Sequence, residues 1–412
     1  MPSTLPEGQL APRDGSVPVD ALERARSRPL SFYVHVPFCT VRCGYCDFNT
    51  YTARDLGPAV GAPGASRETY AAAAIAEVRL ARRTLASLGQ PVSTVFFGGG
   101  TPTLLPPRDL AAVLSAIASE FGLAPGAEVT TESNPDSVGP AELAALRSSG
   151  INRISFGMQS ADPAVLGVLE RTHDPARLPS VVAWAREAGF DQVSVDLIYG
   201  TPGESVESWR QTVESALALD PDHLSAYALI VEEGTALARR VRRGEIPLPD
   251  DDDVADKYEL ADALFSADGL RWYELSNWAR DSTARCQHNL AYWTGASWWG
   301  IGPGAHSHVG GVRWWNVKHP AAYAERIGAG ASPAHAREEL DAESRRVERV
   351  LLESRLSDGL AVDVLDDAGL AAVLGLAADG LIDGEALARG RVVLTVRGRL
   401  LADGVVRRLL PG

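Results

Sequence analysis

The chain has 412 residues, 45% hydrophobic and 22% charged, with a formal net charge of −14. That length accommodates one large domain with one or two small ones. The acidity disfavours nonspecific grip on nucleic acid, which relies on Lys and Arg neutralising phosphates, and leaves room only for a local basic patch. No apolar run approaches the ~20 residues of a membrane span.

Residues 1–28 are rich in Pro, Gly and Ser and lack the basic start and apolar stretch of a secretory signal. They read as a disordered leader on a cytoplasmic protein; only peripheral membrane contact is compatible with the chain. From residue 31 to about 227, short β-rich runs alternate with helical patterns. Strands are predicted at 31–36, 94–97, 128–132, 153–158, 192–197 and 223–227. The Ala/Leu-rich stretches 67–88, 108–121, 140–149, 176–188 and 206–219 show the i, i+3/i+4 apolar spacing of amphipathic helices. Asp109 and Ser205 read as helix starts, and Gly122, Gly150 and Gly189 as stops. Six β/α units in series predict an α/β fold with a parallel sheet and right-handed crossovers. Six strands are too few for a closed eight-stranded barrel, so pattern alone leaves an open doubly wound sheet or a partial barrel.

Residues 53–66 read as a flexible insertion, and 234–253 as a linker that ends in the acid run Asp250–Asp253, expected to be a solvated loop. A separate unit is predicted from about 338. Helical turns are expected at 344–356, 361–374 and 378–381, with strand-like alternation at 391–396 and 404–409. Helices followed by a small hairpin suggest a winged-helix-like α+β domain. It lacks a concentrated basic recognition helix, so packing or gating is expected of it rather than DNA binding.

Three cysteines fall in eight residues: Cys39, Cys43 and Cys46, spaced C-x3-C-x2-C. Three thiolates at this spacing suit three irons of a cubane [4Fe-4S] cluster and leave the fourth iron open to a small molecule. Structural zinc takes four closed ligands. The only other cysteine, Cys286, is remote, so the three cysteines with His35 remain the zinc alternative. A disulfide would need an oxidising setting that nothing here indicates. Downstream, each of the first five predicted strands ends on residues able to reach a shared ligand at the carboxyl edge of the sheet. Strand 1 leads into the cysteines, and strand 2 into Gly98-Gly99-Gly100-Thr101-Pro102. Strand 3 ends at Glu132, strand 4 at Gly157-Met158-Gln159-Ser160 and strand 5 near Asp196. Alone, a triple glycine is a tight turn, and each polar residue a surface or capping group. Five loaded strand ends in one order are harder to dismiss.

The run Phe32-Tyr33-Val34-His35-Val36-Pro37-Phe38-Cys39, the three cysteines and Gly98–Pro102 together resemble the radical S-adenosylmethionine (SAM) superfamily, within its coproporphyrinogen oxidase-like branch. The resemblance spans about residue 31 to the C-terminus. It implies a partial (β/α)6 TIM-like barrel over 29–233, a barrel extension over 234–337 and a C-terminal HemN-type winged-helix-like domain over 338–412. It implies that Cys39, Cys43 and Cys46 bind the cluster while SAM chelates the open iron. It further implies that Gly99, Gly100 and Thr101 approach the methionine part of SAM. Tyr33 and Tyr45 would lie beside cluster and cofactor, with Glu132, Gln159, Arg171 and Asp196 as further SAM contacts.

A second constellation follows. Cys286-Gln287-His288-Asn289-Leu290-Ala291-Tyr292-Trp293 precedes Gly300–Ser307, and seven of nine tryptophans fall between Trp272 and Trp315. By itself this is a buried aromatic core with a hydrogen-bonded histidine. Read functionally, it is a flat apolar pocket with an imidazole, suited to a porphyrin and its iron. The block resembles the H-N-x-x-Y-W motif of the HemW-type heme chaperones. His288 is then the candidate heme contact, and His306 a second ligand candidate or a SAM-side contact. The resemblance implies heme as a third cofactor, heme-acceptor proteins such as respiratory enzymes as partners, and a cluster-dependent homodimer. The competing reading is an oxygen-independent coproporphyrinogen III oxidase. Such oxidases typically carry a fourth cysteine two residues after the third, where this chain has Phe48. The leader also differs from the oxidase's long N-terminal extension, and both differences favour the chaperone.

Overall fold

The computed structural model describes residues 7–56 and 64–410. Its strands are β1 (Gln9–Leu10), β2 (Leu30–Val36), β3 (Val92–Gly99), β4 (Leu123–Ser133), β5 (Arg153–Gln159), β6 (Gln192–Tyr199), β7 (His223–Ala228), β8 (Arg271–Glu274), β9 (Asn277–Ala279), β10 (Ser297–Ile301), β11 (His306–Val309), β12 (Val312–Asn316) and β13 (Ala334–Glu339). They form one sheet in the order β1-β13-β12-β11-β10-β2-β3-β4-β5-β6-β7-β9-β8. Strands β2 to β7 pair in parallel, each with the next. The helices Tyr70–Thr84, Pro107–Phe121, Pro140–Ser148, Leu178–Glu187 and Val206–Leu217 connect them. This is the partial (β/α)6 barrel. Strand β10 extends the parallel set beside β2, and antiparallel strands continue both flanks.

Alternation along the strands explains why this barrel is hollow. Successive side chains point to opposite faces. Phe32, Val34, Val36, Val193, Val195 and Leu197 are fully buried and join the helices in one core. Their neighbours Ser31, Thr94, Thr130, Ser155, Ser194 and Ser225 are small and polar. A closed TIM barrel fills its interior with bulky branched side chains; this sequence leaves space there.

Several expectations need correction. Residues 7–28 are not a disordered leader. Strand β1 pairs with β13 through Gln9 opposite Arg337, and the helix Val19–Ala25 buries Ala21 and Ala25 completely. Residues 1–6 lie outside the described residues. Within 53–66, Ala53–Leu56 is a short helix, and 57–63 are outside the described residues. The linker 234–253 contains the helix Ala236–Arg242. The acid run is a helix start rather than a solvated loop. Asp250 caps the helix Asp251–Ala267 by accepting from the Asp253 amide, and acids in a first turn meet the positive end of the helix dipole. Asp253 also pairs with buried Lys257 at 2.6 Å.

The C-terminal segment has its own core, which includes Val350, Leu360, Leu376, Val392 and Leu409. Its two-stranded sheet joins β14 (Leu360–Ala361) and β15 (Arg391–Val392). The helix Ala342–Glu353 matches expectation. Residues 404–409, predicted as strand, lie in the helix Ala402–Leu409, whose buried Ala402, Val405, Val406 and Leu409 are spaced i, i+3, i+4, i+7. Arg399 ties this unit to the barrel side through a bidentate pair with Asp262, both contacts at 2.8 Å.

Candidate functional site

The chain leaves β2 and folds back on itself. The Cys39 amide donates to the Tyr51 carbonyl at 3.0 Å, and the Tyr51 amide to Pro37 at 2.7 Å. The half-buried Cys39, Cys43 and Cys46 line one cavity of about 440 Å³. Burial pushes the Cys39 thiol up to about 12, and the neighbouring Cys46 and Cys43 add to the shift. Burial and the neighbouring sulfurs disfavour the Cys39 thiolate, so a positively charged iron core is what would hold it ionised. Among the described residues no three His, Cys, Asp or Glu side chains converge on a single-ion site. His35 is also turned elsewhere, with Nε2 on the Asn49 carbonyl at 2.9 Å and Nδ1 on the Tyr33 hydroxyl at 3.1 Å. The zinc alternative therefore lacks its fourth ligand.

The same cavity is lined by Tyr45, Gly99, Gly100, Thr101, Glu132, Gln159, Arg171 and Asp196. Gly99 has φ +110°, and a Cβ there would stand 2.5 Å from the His35 ring. A Cβ on Gly100 would stand 2.4 Å from the Phe38 carbonyl oxygen. Glycine is thus required for the end of β3 to lie on the cysteine loop, where the Thr101 amide donates to Phe38 at 2.8 Å. Gln159 adopts φ +63°, a left-handed conformation that non-glycine residues seldom take. Arg171 lies 3.5 Å from the Cys43 sulfur through Nη1 and donates through Nη2 to the Gly157 carbonyl at 2.8 Å. Its buried Nε has no partner. This cation beside the Cys43 sulfur, with an unused donor, fits a cavity built for a negatively charged cluster and a carboxylate-bearing ligand.

Glu132 Oε2 accepts from the Gly99 amide at 2.9 Å. Burial, then the nearby Asp196, pushes Glu132 up to about 8. Asp196, also raised by burial, accepts from Ser155 at 2.9 Å. A cationic ligand would relieve both carboxylates. Sequence reasoning missed Ser155, Ile198 and Tyr227 on this cavity. The period of two along each strand was the available signal: Ser155 precedes Gly157 by two, and Ile198 follows Asp196 by two.

A second cavity of about 870 Å³ occupies the barrel lumen. Glu132, Ser155, Asp196 and Tyr227 line both cavities. The structure places Tyr33 here, beside Phe96 at 6.3 Å between ring centres, rather than on the cysteine cavity. His288 lines the lumen as well. It lies in the helix Gln287–Trp293, whose first amides, Gln287 and His288, donate to Glu128 at 2.9 Å each. Its ring stacks on Phe96 at 5.1 Å. Nδ1 meets the Thr94 hydroxyl at 2.7 Å, and Nε2 the Tyr292 hydroxyl at 2.8 Å. Burial pulls its pKa down to about 3. Arg153, Trp298, His306, Arg313 and Trp315 complete much of the remaining wall.

The radical SAM superfamily profile matches residues 33–216. The heme chaperone HemW of Mycobacterium tuberculosis is 49% identical over 399 residues, spanning 97% of this chain and 99% of that protein. The heme chaperone HemW of Bacillus subtilis is 32% identical over 395 residues, spanning 91% and 97%. Among solved structures, the coproporphyrinogen III oxidase HemN of Escherichia coli, described as a radical SAM enzyme, superposes with a TM-score of 0.79 at 25% identity. The match covers 94% of this chain and 92% of that one.

Proposed function

Since this chain belongs to the HemW family of heme chaperones within the radical SAM superfamily, we propose that it holds heme beside a SAM-liganded [4Fe-4S] cluster. It passes that heme to acceptor proteins such as respiratory heme enzymes. The observation that carries this reading is the pair of adjoining cavities. One is lined by three cysteines; the other is a lumen within the volume range of small-molecule sites, walled by Tyr33, Phe96, Trp298 and Trp315.

In the first cavity Cys39, Cys43 and Cys46 would hold the cluster, which would supply a one-electron centre with an iron open to SAM. Arg171 suits the SAM carboxylate, and its charge offsets that of the sulfurs. Glu132 and Asp196 suit the cationic part or the ribose hydroxyls, and Gly99 to Thr101 line the methionine side. In the lumen the aromatic walls suit the faces of a macrocycle, and the polar strand residues keep the barrel open for it. Among the described residues no helix is long and apolar enough to cross a membrane. The likeness to HemN favours coproporphyrinogen III oxidation as the second reading. Phe48, on the wall of the cysteine cavity where that enzyme class typically has a further cysteine, counts against it.

Heme transfer tests the proposal. Heme-loaded protein mixed with an apo respiratory heme protein is expected to lose its heme band while the acceptor's spectrum grows. Transfer no faster than from free heme in solution would reject the chaperone role.

A further inference from the structure

A heme in the lumen offers one iron to the protein, and four side chains on this wall carry a nitrogen or sulfur suited to it: His223, Cys286, His288 and His306. Three are already committed. His223 meets the Ser194 hydroxyl at 2.7 Å and the Tyr273 hydroxyl at 2.9 Å. Both ring nitrogens of His288 are held, by Thr94 and Tyr292. The Cys286 sulfur lies 3.6 Å from Glu128 Oε1, and burial pushes its thiol up to about 12, so it stays protonated. His306 differs, because its Nε2 has no hydrogen-bond partner. An imidazole that no protein group engages is rare in a largely buried setting and keeps a nitrogen lone pair for a ligand. Nε2 itself is closed to solvent, so iron in the lumen would meet the ring's other nitrogen or Nε2 after the ring turns.

Resting on the heme reading above, we propose that His306, rather than His288 of the H-N-x-x-Y-W motif, is the protein ligand of the heme iron. His288 is then a positioning residue. Its clamp between Thr94 and Tyr292 fixes the helix Gln287–Trp293 against β3 and so shapes the wall. The surroundings of His306 suit the task. Its ring stacks on Trp315 at 5.9 Å and 27°, which orients the imidazole. Burial holds its pKa down to about 4, with Arg313 contributing, so the ring is neutral at physiological pH. The bond forms by donation of a ring-nitrogen lone pair to iron, with no proton or electron exchanged.

The sheet register places a cation nearby. His306 pairs with Trp315 and His308 with Arg313, so Arg313 lies one diagonal step from His306 on the same face. Arg313 lines the lumen, its Nε has no partner, and its other nitrogens pair with Glu338 and Glu348. An iron ligand beside a guanidinium matches a macrocycle that carries both a metal and carboxylates.

The test titrates ferric heme into the anaerobically reconstituted full chain, comparing wild type, His306→Ala, His306→Gln and His288→Ala by absorption and magnetic circular dichroism. Melting temperature and cluster iron content report folding. The wild type is expected to saturate with the signature of imidazole-bound heme. Both His306 variants are expected to lose that signature and more than about tenfold in affinity, and added free imidazole should restore the spectrum in His306→Ala. His288→Ala should keep the signature, whatever its affinity. Retention of the signature in folded His306→Gln, or its loss in folded His288→Ala, would overturn the assignment. Failure of the wild type itself to bind heme would instead remove the chaperone reading on which it rests.

Discussion

Gly100→Ala is expected to weaken cluster retention before SAM is ever added. The new Cβ would stand 2.4 Å from the Phe38 carbonyl oxygen, 2.9 Å from its carbon and 3.0 Å from the Phe38 nitrogen. The closest contact falls about 1 Å short of the ~3.3 Å at which carbon and a carbonyl oxygen begin to touch comfortably. All three atoms are backbone, so no side chain can swing away. The same carbonyl accepts from the Thr101 amide, and Phe38 is bridged to Tyr51. Relief therefore displaces the next residue, Cys39. Overpacking of this kind costs about 1–3 kcal/mol. If that cost falls on the loaded loop, cluster binding weakens about 5- to 150-fold. Iron and acid-labile sulfide per chain, measured after anaerobic reconstitution without SAM, read the effect. Gly167→Ala is the control: a Cβ there, in the helix Pro163–Val168, meets nothing within 4 Å. Full iron content in Gly100→Ala, with only SAM affinity reduced, would refute this reasoning and assign the glycine to ligand contact instead.

Glu132 predicts a pH dependence. Its folded pKa of about 8 exceeds the ordinary 4.5, so its stabilising contribution is full below 4.5 and is lost as pH rises through about 8. Glu132→Gln should flatten the fall in melting temperature of the ligand-free protein over that interval, and parallel curves for the two proteins would contradict this. A cationic ligand favours the ionised carboxylate, so SAM affinity should rise over the same interval, as calorimetry at several pH values would show. Cys286 lines the lumen and not the cysteine cavity. Cys286→Ala should leave cluster iron intact, whereas alanine at Cys39, Cys43 or Cys46 should lower it; iron analysis decides. Arg399→Met leaves Asp262, 14% exposed, without its bidentate partner, at a cost approaching about 3 kcal/mol. Earlier proteolytic release of the C-terminal unit is expected, and an unchanged digestion rate would argue against that tie.

The parallel strands were legible in the sequence because burial on both faces left compact β-rich runs between amphipathic helices. The loaded strand ends were legible because glycine, cysteine and carboxylates recur where each run stops. The rest depended on contacts distant in sequence. Residues 7–28 look like a leader by composition, yet two alanines suffice to seat a helix, and Gly310 lies so close that a Cβ there would meet the Ala21 carbonyl at 2.0 Å. Asp250–Asp253 read as a charge run, and only Lys257 and the helix beginning there give it a role. The doubled apolar and basic residues of Val405-Val406-Arg407-Arg408-Leu409 looked strand-like, although their burial is helical. Of the residues expected beside the cluster, Tyr33 falls on the lumen rather than the cysteine cavity, because one inward face of the barrel serves both chambers. The motif drew attention to His288, but only side-chain geometry distinguishes its two occupied nitrogens from the unpartnered one of His306.

Parallel anaerobic incubations of the reconstituted, SAM-supplied protein test the central claim most directly, one with coproporphyrinogen III and one with heme. The chaperone account predicts saturable heme binding, and no decarboxylation or coupled SAM cleavage with coproporphyrinogen III. Conversion of coproporphyrinogen III to protoporphyrinogen IX with SAM consumed in step would contradict it.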